Sequence, residues 1–230
     1  MSHRTARTII GILGGLALVS GFVAFRSPAR SAPLPSPTLD LRPATSGGLE
    51  TAVFAGGCFW GIEAVFEHVK GVTDAVSGYA GGSKKDADYE TVSSGTTGHA
   101  ESVRVTYDPT KVSYGTLLKV FFAVAHDPTQ LNRQGPDVGP QYRSVIFYEN
   151  EDQAKAARAY VEQLTKAKTF NRPIVTQVLK LDAFYAAEAY HQNFAEHHPN
   201  YPYIVIHDRP KVERLQKEFP ELYRDVTAEP

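Results

Sequence analysis

Only one of the 230 residues, Cys58, is a cysteine. No internal disulfide, Cys-x-x-Cys redox pair or cysteine zinc site can therefore organise the chain. The fold is left to apolar burial, and a composition that is 42% hydrophobic and 21% charged is that of a globular protein. It excludes the collagen, coiled-coil, polytopic membrane and wholly disordered classes. The lone thiol is either an inert buried side chain or a reactive nucleophile. Its neighbours decide which.

The N-terminus reads as a targeting segment. Arg4 and Arg7 precede an uncharged stretch over residues 8–25, and Arg26 follows. A basic region ahead of an apolar run is the secretory pattern. Small residues at Ala29 and Ser31 offer a cleavage site, while the length of the run approaches the ~20 residues of a membrane span. Residues 1–31 are thus expected to be a signal peptide or a single-span N-terminal anchor. In both cases the body is exported, either periplasmic or membrane-anchored and facing the periplasm. Residues 32–48 hold Pro33, Pro35, Pro37 and Pro43 and read as an extended, Pro-rich linker. The folded domain is expected over 49–220, with a C-terminal tail over 221–230.

Charge narrows the partners. The first 31 residues carry four of the 24 Lys and Arg and no acid, which leaves 20 basic against 25 acidic residues in the remainder. A mildly acidic body without a basic cluster is a poor ligand for a phosphate backbone, so no nucleic-acid partner is expected.

Within the body, Glu50–Ala55 reads as a buried strand, broken by Gly56-Gly57. Residues 58–69 have helical spacing, with Ile62, Val65, Phe66 and Val69 on one face. Val72–Gly78 and Ala100–Tyr107 alternate as strands around a polar, Gly/Ser-rich flexible segment, 80–98. Residues 113–125 form a buried helix, and 142–148 and 174–181 further strands. Residues 151–168 form a helix with acids early and lysines late, which complements its dipole. Later helices are expected over 186–196 and 211–218. Strands interspersed with helices imply an α/β (α+β) fold, a two-layer sandwich with a mixed sheet and helices packed on it.

Three clusters carry chemistry. In Gly56-Gly57-Cys58-Phe59-Trp60-Gly61 two glycines turn the backbone from strand to helix and place Cys58 at a helix N-terminus, where the dipole favours a thiolate. A structural cysteine has no need of that placement, so the nucleophile is favoured. Phe59 and Trp60 are either core aromatics or the walls of an apolar pocket. In Gly98-His99-Ala100-Glu101, Glu101 opens a strand whose core face it shares with Val103 and Val105. A carboxyl there is expected to be neutral near pH 7 and able to donate a proton beside a nucleophile. The alternative is a salt-bridged strand-end Glu, and His99 reads equally as a solvated turn residue. In the third cluster, residues 135–144, Gly and Pro fix a loop that presents Asp137 and Tyr142. Tyr89 lies in the 80–98 segment, and tyrosine hydroxyls can bond a polar oxygen without bringing charge. Tyr142 is otherwise a strand-end aromatic and Asp137 an Asx turn. No nucleotide-binding glycine loop or zinc-protease motif is present, and no bound metal or cofactor is expected.

Gly-Gly-Cys-Phe-Trp-Gly, Gly-His-Ala-Glu and Gln-Tyr-Arg-Ser, in that order, resemble the peptide methionine sulfoxide reductase A family, over roughly Glu50–Pro220. The resemblance implies that Cys58 is the nucleophile and Glu101 the acid. It also implies that Tyr89 and Tyr142 bond the sulfoxide oxygen, that Phe59 and Trp60 hold the substrate methyl, and that Asp137 belongs to the active-site loop. The implied reaction is reduction of methionine S-sulfoxide, free or in oxidised proteins, through a sulfenic acid on Cys58. Many family members carry recycling cysteines near the C-terminus. Here Asn200–Asp208 has none, so an external thiol is expected to serve, from a thioredoxin- or glutaredoxin-like protein or a small thiol. The chain is expected to act as a monomer. Two other readings stand beside this one: a Cys–His hydrolase using His99 or His191 with Asp137, and a non-catalytic thioether-binding module built on Phe59 and Trp60.

Overall fold

The computed structural model describes residues 34–41 and 47–226. The expected signal peptide or anchor, 1–31, lies outside them. Among the described residues no helix is long and apolar enough to cross a membrane.

The strands are β1 (Glu50–Ala55), β2 (Val72–Ala80), β3 (Ala100–Tyr107), β4 (Arg133–Gln134), β5 (Asp137–Val138), β6 (Val145–Tyr148), β7 (Gln177–Lys180) and β8 (Phe184–Ala186). The helices are α1 (Phe59–Glu67), α2 (Tyr89–Ser93), α3 (Tyr114–Val120), α4 (Glu151–Lys166), α5 (Phe194–His197) and α6 (Arg209–Glu218). Six strands make one sheet in the order β7-β6-β1-β3-β2-β8, and β4 with β5 forms a separate hairpin. All neighbours in the large sheet are antiparallel except β6 and β7, which α4 joins as a crossover. The expected mixed sheet with packed helices is what forms.

Alternation on β1 and β3 sorts their residues to two faces. Ala52, Phe54, Val103, Val105 and Tyr107 join the main core with Phe59, Val65 and Phe66 of α1, while Val53, Ala55, Ala100 and Phe147 build a smaller cluster on the other side. Glu101 falls on the helix-covered face. Helix α1 is buried on nearly every side, the pattern of a central helix rather than an amphipathic surface one.

Several expected elements differ. Tyr142 lies in a one-turn helix, Pro140–Tyr142, and the strand begins only at Val145, because Gly139 (φ 147) and Pro140 force a turn first. The segment 80–98 is not a featureless loop: Asp88 caps α2 by accepting the Thr91 N–H at 3.0 Å, and Tyr89 opens that helix. The helix expected over 186–196 is instead the end of β8, a turn at Ala189–His191 and the short α5. A left-handed residue, Asn193 (φ 53), separates the last two. The helix expected over 113–125 is α3 continued by a wider, π-type turn, Phe121–Ala125.

Residues 34–41, inside the expected linker, lie against the body. Leu34 is buried in the main core, the Tyr160 hydroxyl donates to the Pro35 carbonyl at 2.8 Å, and Gln163 bonds both Ser36 and Thr38. Asp40 then accepts the Gly115 N–H at 2.7 Å at the start of α3. The proline content fits this path, since an extended strap with few free donors suits burial along helices. Residues 221–226, within the expected tail, are likewise stitched to the end of α1. Lys70 N–H donates to Leu222, Arg224 N–H to His68, and the Arg224 side chain to the Glu67 carbonyl.

Candidate active site

The end of β1 and the start of α1 form the site. Gly57 turns the chain with φ 104, and a Cβ there would lie 2.5 Å from the Gln134 side chain, so glycine is required. Cys58 follows as the N-cap residue of α1, and the residue as a whole is partly buried. The first amides of a helix have no partner within it. The Phe59 N–H uses this freedom to donate to Glu101 Oε2 at 3.1 Å, which binds the Gly-His-Ala-Glu strand to the cysteine turn.

Glu101 is 3% exposed. Burial pushes its carboxyl up to about 8; the Phe59 N–H pulls downward, while Asp137 and Asp208 add to the rise. It is therefore protonated near neutral pH, as its core-facing position implied. It is not a salt-bridged strand end.

Cys58 differs from expectation. Burial first, then the charges of Glu101, Asp208 and Asp137, push the thiol well above its ordinary range, against a smaller downward pull from the Trp60 N–H. The dipole of a helix end is worth about 0.3–1 kcal/mol. It does not prevail against burial and the three carboxyl groups that act on the sulfur. The resting nucleophile is a thiol rather than a stored thiolate.

Tyr89 and Tyr142 face the same pair. Burial raises both phenols, and Glu101 and Cys58 each add to the rise, so both hydroxyls are neutral donors. Asp137, on β5, accepts a hydrogen bond from the Tyr203 hydroxyl. Burial raises its carboxyl, opposed by Tyr203, Lys211 and His207.

The aromatic residues take different positions. Phe59 is only 1% exposed and packs against Tyr79, His191 and Trp60, so it backs the wall. Trp60 is half-buried and tightly held. Its Nε1–H donates to His191 Nδ1 at 3.2 Å, Phe194 stacks on it at 3.8 Å, and Tyr203 meets it edge-on at 6.0 Å. His99 is buried rather than solvated, with Nε2 2.9 Å from the Ser83 carbonyl.

Sequence reasoning missed Tyr203, Asp208 and Lys211. Asp208 is wholly buried and paired with Lys211 at 3.0 Å. It sits against Gly61, where a Cβ would lie 2.1 Å from Asp208 Oδ1, which explains the last glycine of the cysteine motif. The i,i+3 spacing of Asp208 and Lys211 was visible as a charge pair, but nothing local tied it to Cys58. Among the described residues no group of three His, Cys, Asp or Glu is placed to hold a metal ion.

A thiol at a helix N-terminus, a protonated carboxyl and two neutral phenols form a site for a polar, uncharged oxygen bound to an electrophilic atom. Comparison with known proteins agrees. Residues 50–223 match the family model described as peptide methionine sulfoxide reductase. The chain is 61% identical over 178 residues to the peptide methionine sulfoxide reductase MsrA 2 of Mesorhizobium japonicum, covering 77% of this chain and 91% of that protein. It is 49% identical over 207 residues to the MsrA 2 of Synechocystis, covering 89% and 96%. The structure resembles methionine sulfoxide reductase A of Corynebacterium diphtheriae, with a TM-score of 0.58 and 36% identity over 76% of this chain and 86% of that one. It also resembles reduced Mxr1 of Saccharomyces cerevisiae, with a TM-score of 0.60 and 31% identity over 73% and 94%. The chain belongs to the peptide methionine sulfoxide reductase A family.

Proposed function

We propose that the protein reduces methionine S-sulfoxide, free or within oxidised proteins, to methionine, with Cys58 as nucleophile and Glu101 as acid. The observation that carries this reading is the buried Glu101 carboxyl, held protonated to about 8 and bonded to the first amide after the cysteine. Tyr89 and Tyr142 hold the sulfoxide oxygen as neutral donors, and Trp60, backed by Phe59, walls the methyl group.

Reduction of a sulfoxide needs a soft nucleophile at sulfur and a proton on the departing oxygen. Glu101 donates its proton to the oxygen as the Cys58 sulfur bonds the substrate sulfur, and the thiol proton passes to the Glu101 carboxylate. The hydroxyl then passes to the Cys58 sulfur: a new sulfur–oxygen bond forms there as the substrate's sulfur–oxygen bond and the bond between the two sulfurs break. Methionine leaves with its sulfur reduced by two electrons, and Cys58, oxidised by two, is left as a sulfenic acid. With one cysteine in the chain, an external thiol condenses with the sulfenic acid, releasing water, and a second thiol frees Cys58. A thioredoxin- or glutaredoxin-like protein or a small thiol has the required chemistry. The Arg-flanked uncharged stretch at residues 8–25 supports action outside the cytoplasm, as an exported or anchored enzyme.

The hydrolase reading is not favoured, because among the described residues no hydrogen bond joins Cys58 to an imidazole. His99 Nε2 bonds the Ser83 carbonyl, and His191 accepts from Trp60. The test is one turnover of the full chain with a peptide containing methionine S-sulfoxide and no reductant, followed by mass spectrometry. One added oxygen on Cys58, trapped by dimedone, and an equivalent of methionine are expected. No oxygen on Cys58 and no methionine would overturn the reading.

A further inference from the structure

We propose that the segment Gln141–Ser144 is a clamp: Tyr142 meets the substrate, while Gln141, Arg143 and Ser144 are positioning residues, each fixing a different chain segment that carries a reacting group. The proposal rests on the site assignment above and goes beyond it.

The groups around the sulfoxide oxygen come from places far apart in the chain. Cys58 follows β1, Tyr89 opens α2, Glu101 lies near the start of β3, and Tyr142 ends a one-turn helix. Catalysis needs them to converge, and a misplacement of about 1 Å is enough to lose on the order of 100-fold in rate. Tyr89 and Tyr142 lie outside the sheet, and Glu101, although paired with Tyr79 in the ladder, follows a turn that the ladder does not hold.

Gln141 reaches toward Tyr89. It is buried, and its Nε2 donates to the Ser93 carbonyl at 3.1 Å, at the end of the helix that Tyr89 begins. The backbone is shaped around this amide, because a Cβ on Gly139 would lie 2.2 Å from Gln141 Oε1. Arg143 reaches toward Glu101. Its Nη2 donates to the Gly98 carbonyl at 2.8 Å, and its Nη1 to the carbonyls of His99 at 3.0 Å and Pro140 at 2.9 Å. One planar fork thus joins the turn bearing Tyr142 to the turn leading into Glu101, a task for which a lysine ammonium lacks the geometry.

Ser144 reaches toward Cys58. His126 is buried and neutral, with its pKa lowered to about 4 by burial, and Nδ1 lies 3.0 Å from the Phe121 carbonyl, to which it donates. Nε2 is then the acceptor, and the Ser144 hydroxyl, 2.7 Å away, donates to it. The imidazole presses on Gly56, two residues before Cys58, where a Cβ would be 2.8 Å from the ring. The contacts of Gln141, Arg143 and Ser144 therefore lead to three different segments of the site, the last of them through His126.

Double-mutant cycles on the full chain separate positioning from general support. Single-turnover methionine formation, KM and thermal unfolding are measured for Gln141→Leu and Arg143→Lys, alone and combined with Tyr89→Phe or Glu101→Gln. Each single clamp variant is expected to lower the rate about 10- to 100-fold with KM within threefold of wild type. In matched pairs, Gln141→Leu adds less than twofold to Tyr89→Phe, and Arg143→Lys less than threefold to Glu101→Gln. In the crossed pairs the losses multiply. Multiplying losses in the matched pairs, or a wild-type rate in the single variants, would overturn the clamp. Should either variant fail to fold, Gln141→Met and Arg143→Gln take its place in the same cycles, read by the same criterion. A wild-type rate in Glu101→Gln would instead overturn the site assignment, so the two failures are distinguishable.

Discussion

Replacing Glu101 by Gln is expected to remove activity and stabilise the fold together. Gln keeps the shape and can still accept the Phe59 N–H, now made by Glu101 at 3.1 Å, but it has no acidic proton to give. Loss of a general acid lowers the rate by about 10²–10⁴-fold. Stability moves the other way. A carboxyl that ionises at 4.5 in the unfolded chain is held protonated to about 8 in the fold. The folded state thus binds more protons than the unfolded one between those values, and stability falls as pH rises through that window. At pH 7 this disadvantage is about 3 kcal/mol, at ~1.4 kcal/mol per pH unit. The amide brings donors of its own, which takes back about 1–2 kcal/mol. The net gain is about 1–2 kcal/mol, or roughly 2–8 °C in Tm for a domain of this size. The assay is thermal unfolding of wild type and Glu101→Gln at pH 5, 7 and 9, beside single-turnover methionine formation. The difference should be smallest at pH 5 and largest at pH 9. Glu63, also raised to about 8, is common to both proteins and cancels. A Gln variant less stable at every pH would refute the reasoning, because it would mean that Glu101 is an ionised, paired carboxylate.

Two further outcomes follow from the same geometry. Because the resting thiol and Glu101 both hold protons, one turnover near pH 7 should take up almost no proton from a weakly buffered solution containing an indicator dye, whereas a stored thiolate would take up one per methionine. A chain starting at residue 47, compared with one starting at 33, loses the burial of Leu34 and the Asp40 bond to α3. Together these are worth about 3 kcal/mol, so Tm should fall by roughly 6–12 °C while the single-turnover rate at 20 °C stays unchanged; an equal Tm would show that the strap adds nothing.

The fold was readable where the determinants are local. β1, β3 and α4 follow from alternation, helical spacing and end charges within their own windows, and their limits fall within two residues of expectation. Elements set by distant partners were not readable. Ala186–Glu196 has helical composition, yet its residues are drawn apart by the sheet and the core. The Ala187 N–H donates to Ser77, the Gln192 amide brackets Ser77 from both sides, and the Asn193 N–H donates to Glu63. Residues 34–41 look like a tether because proline disfavours regular structure, but an extended strap can still bury Leu34 and cap a helix.

The site divides along the same line. Cys58 and Glu101 sit in motifs whose glycines and polarity betray them, and the neutral state of Glu101 follows from one core-facing position; Tyr142 lies in a Gly/Pro loop, while Tyr89 is marked only by the family resemblance. The state of the thiol does not. It depends first on burial, then on Glu101 and on carboxyls brought from afar: Asp208, 150 residues away in sequence, and Asp137, carried on a hairpin outside the sheet. A helix N-terminus argues for a thiolate when it is considered alone, and burial, reinforced by the carboxyls, reverses the sign. That reversal suits a sulfoxide. With no stored thiolate, Cys58 is a poor nucleophile toward stray electrophiles, and in the proposed mechanism it becomes a good one only when a substrate oxygen draws the proton from Glu101. The same carboxyl can then receive the proton of the thiol, so that neither charge stands alone in the buried site.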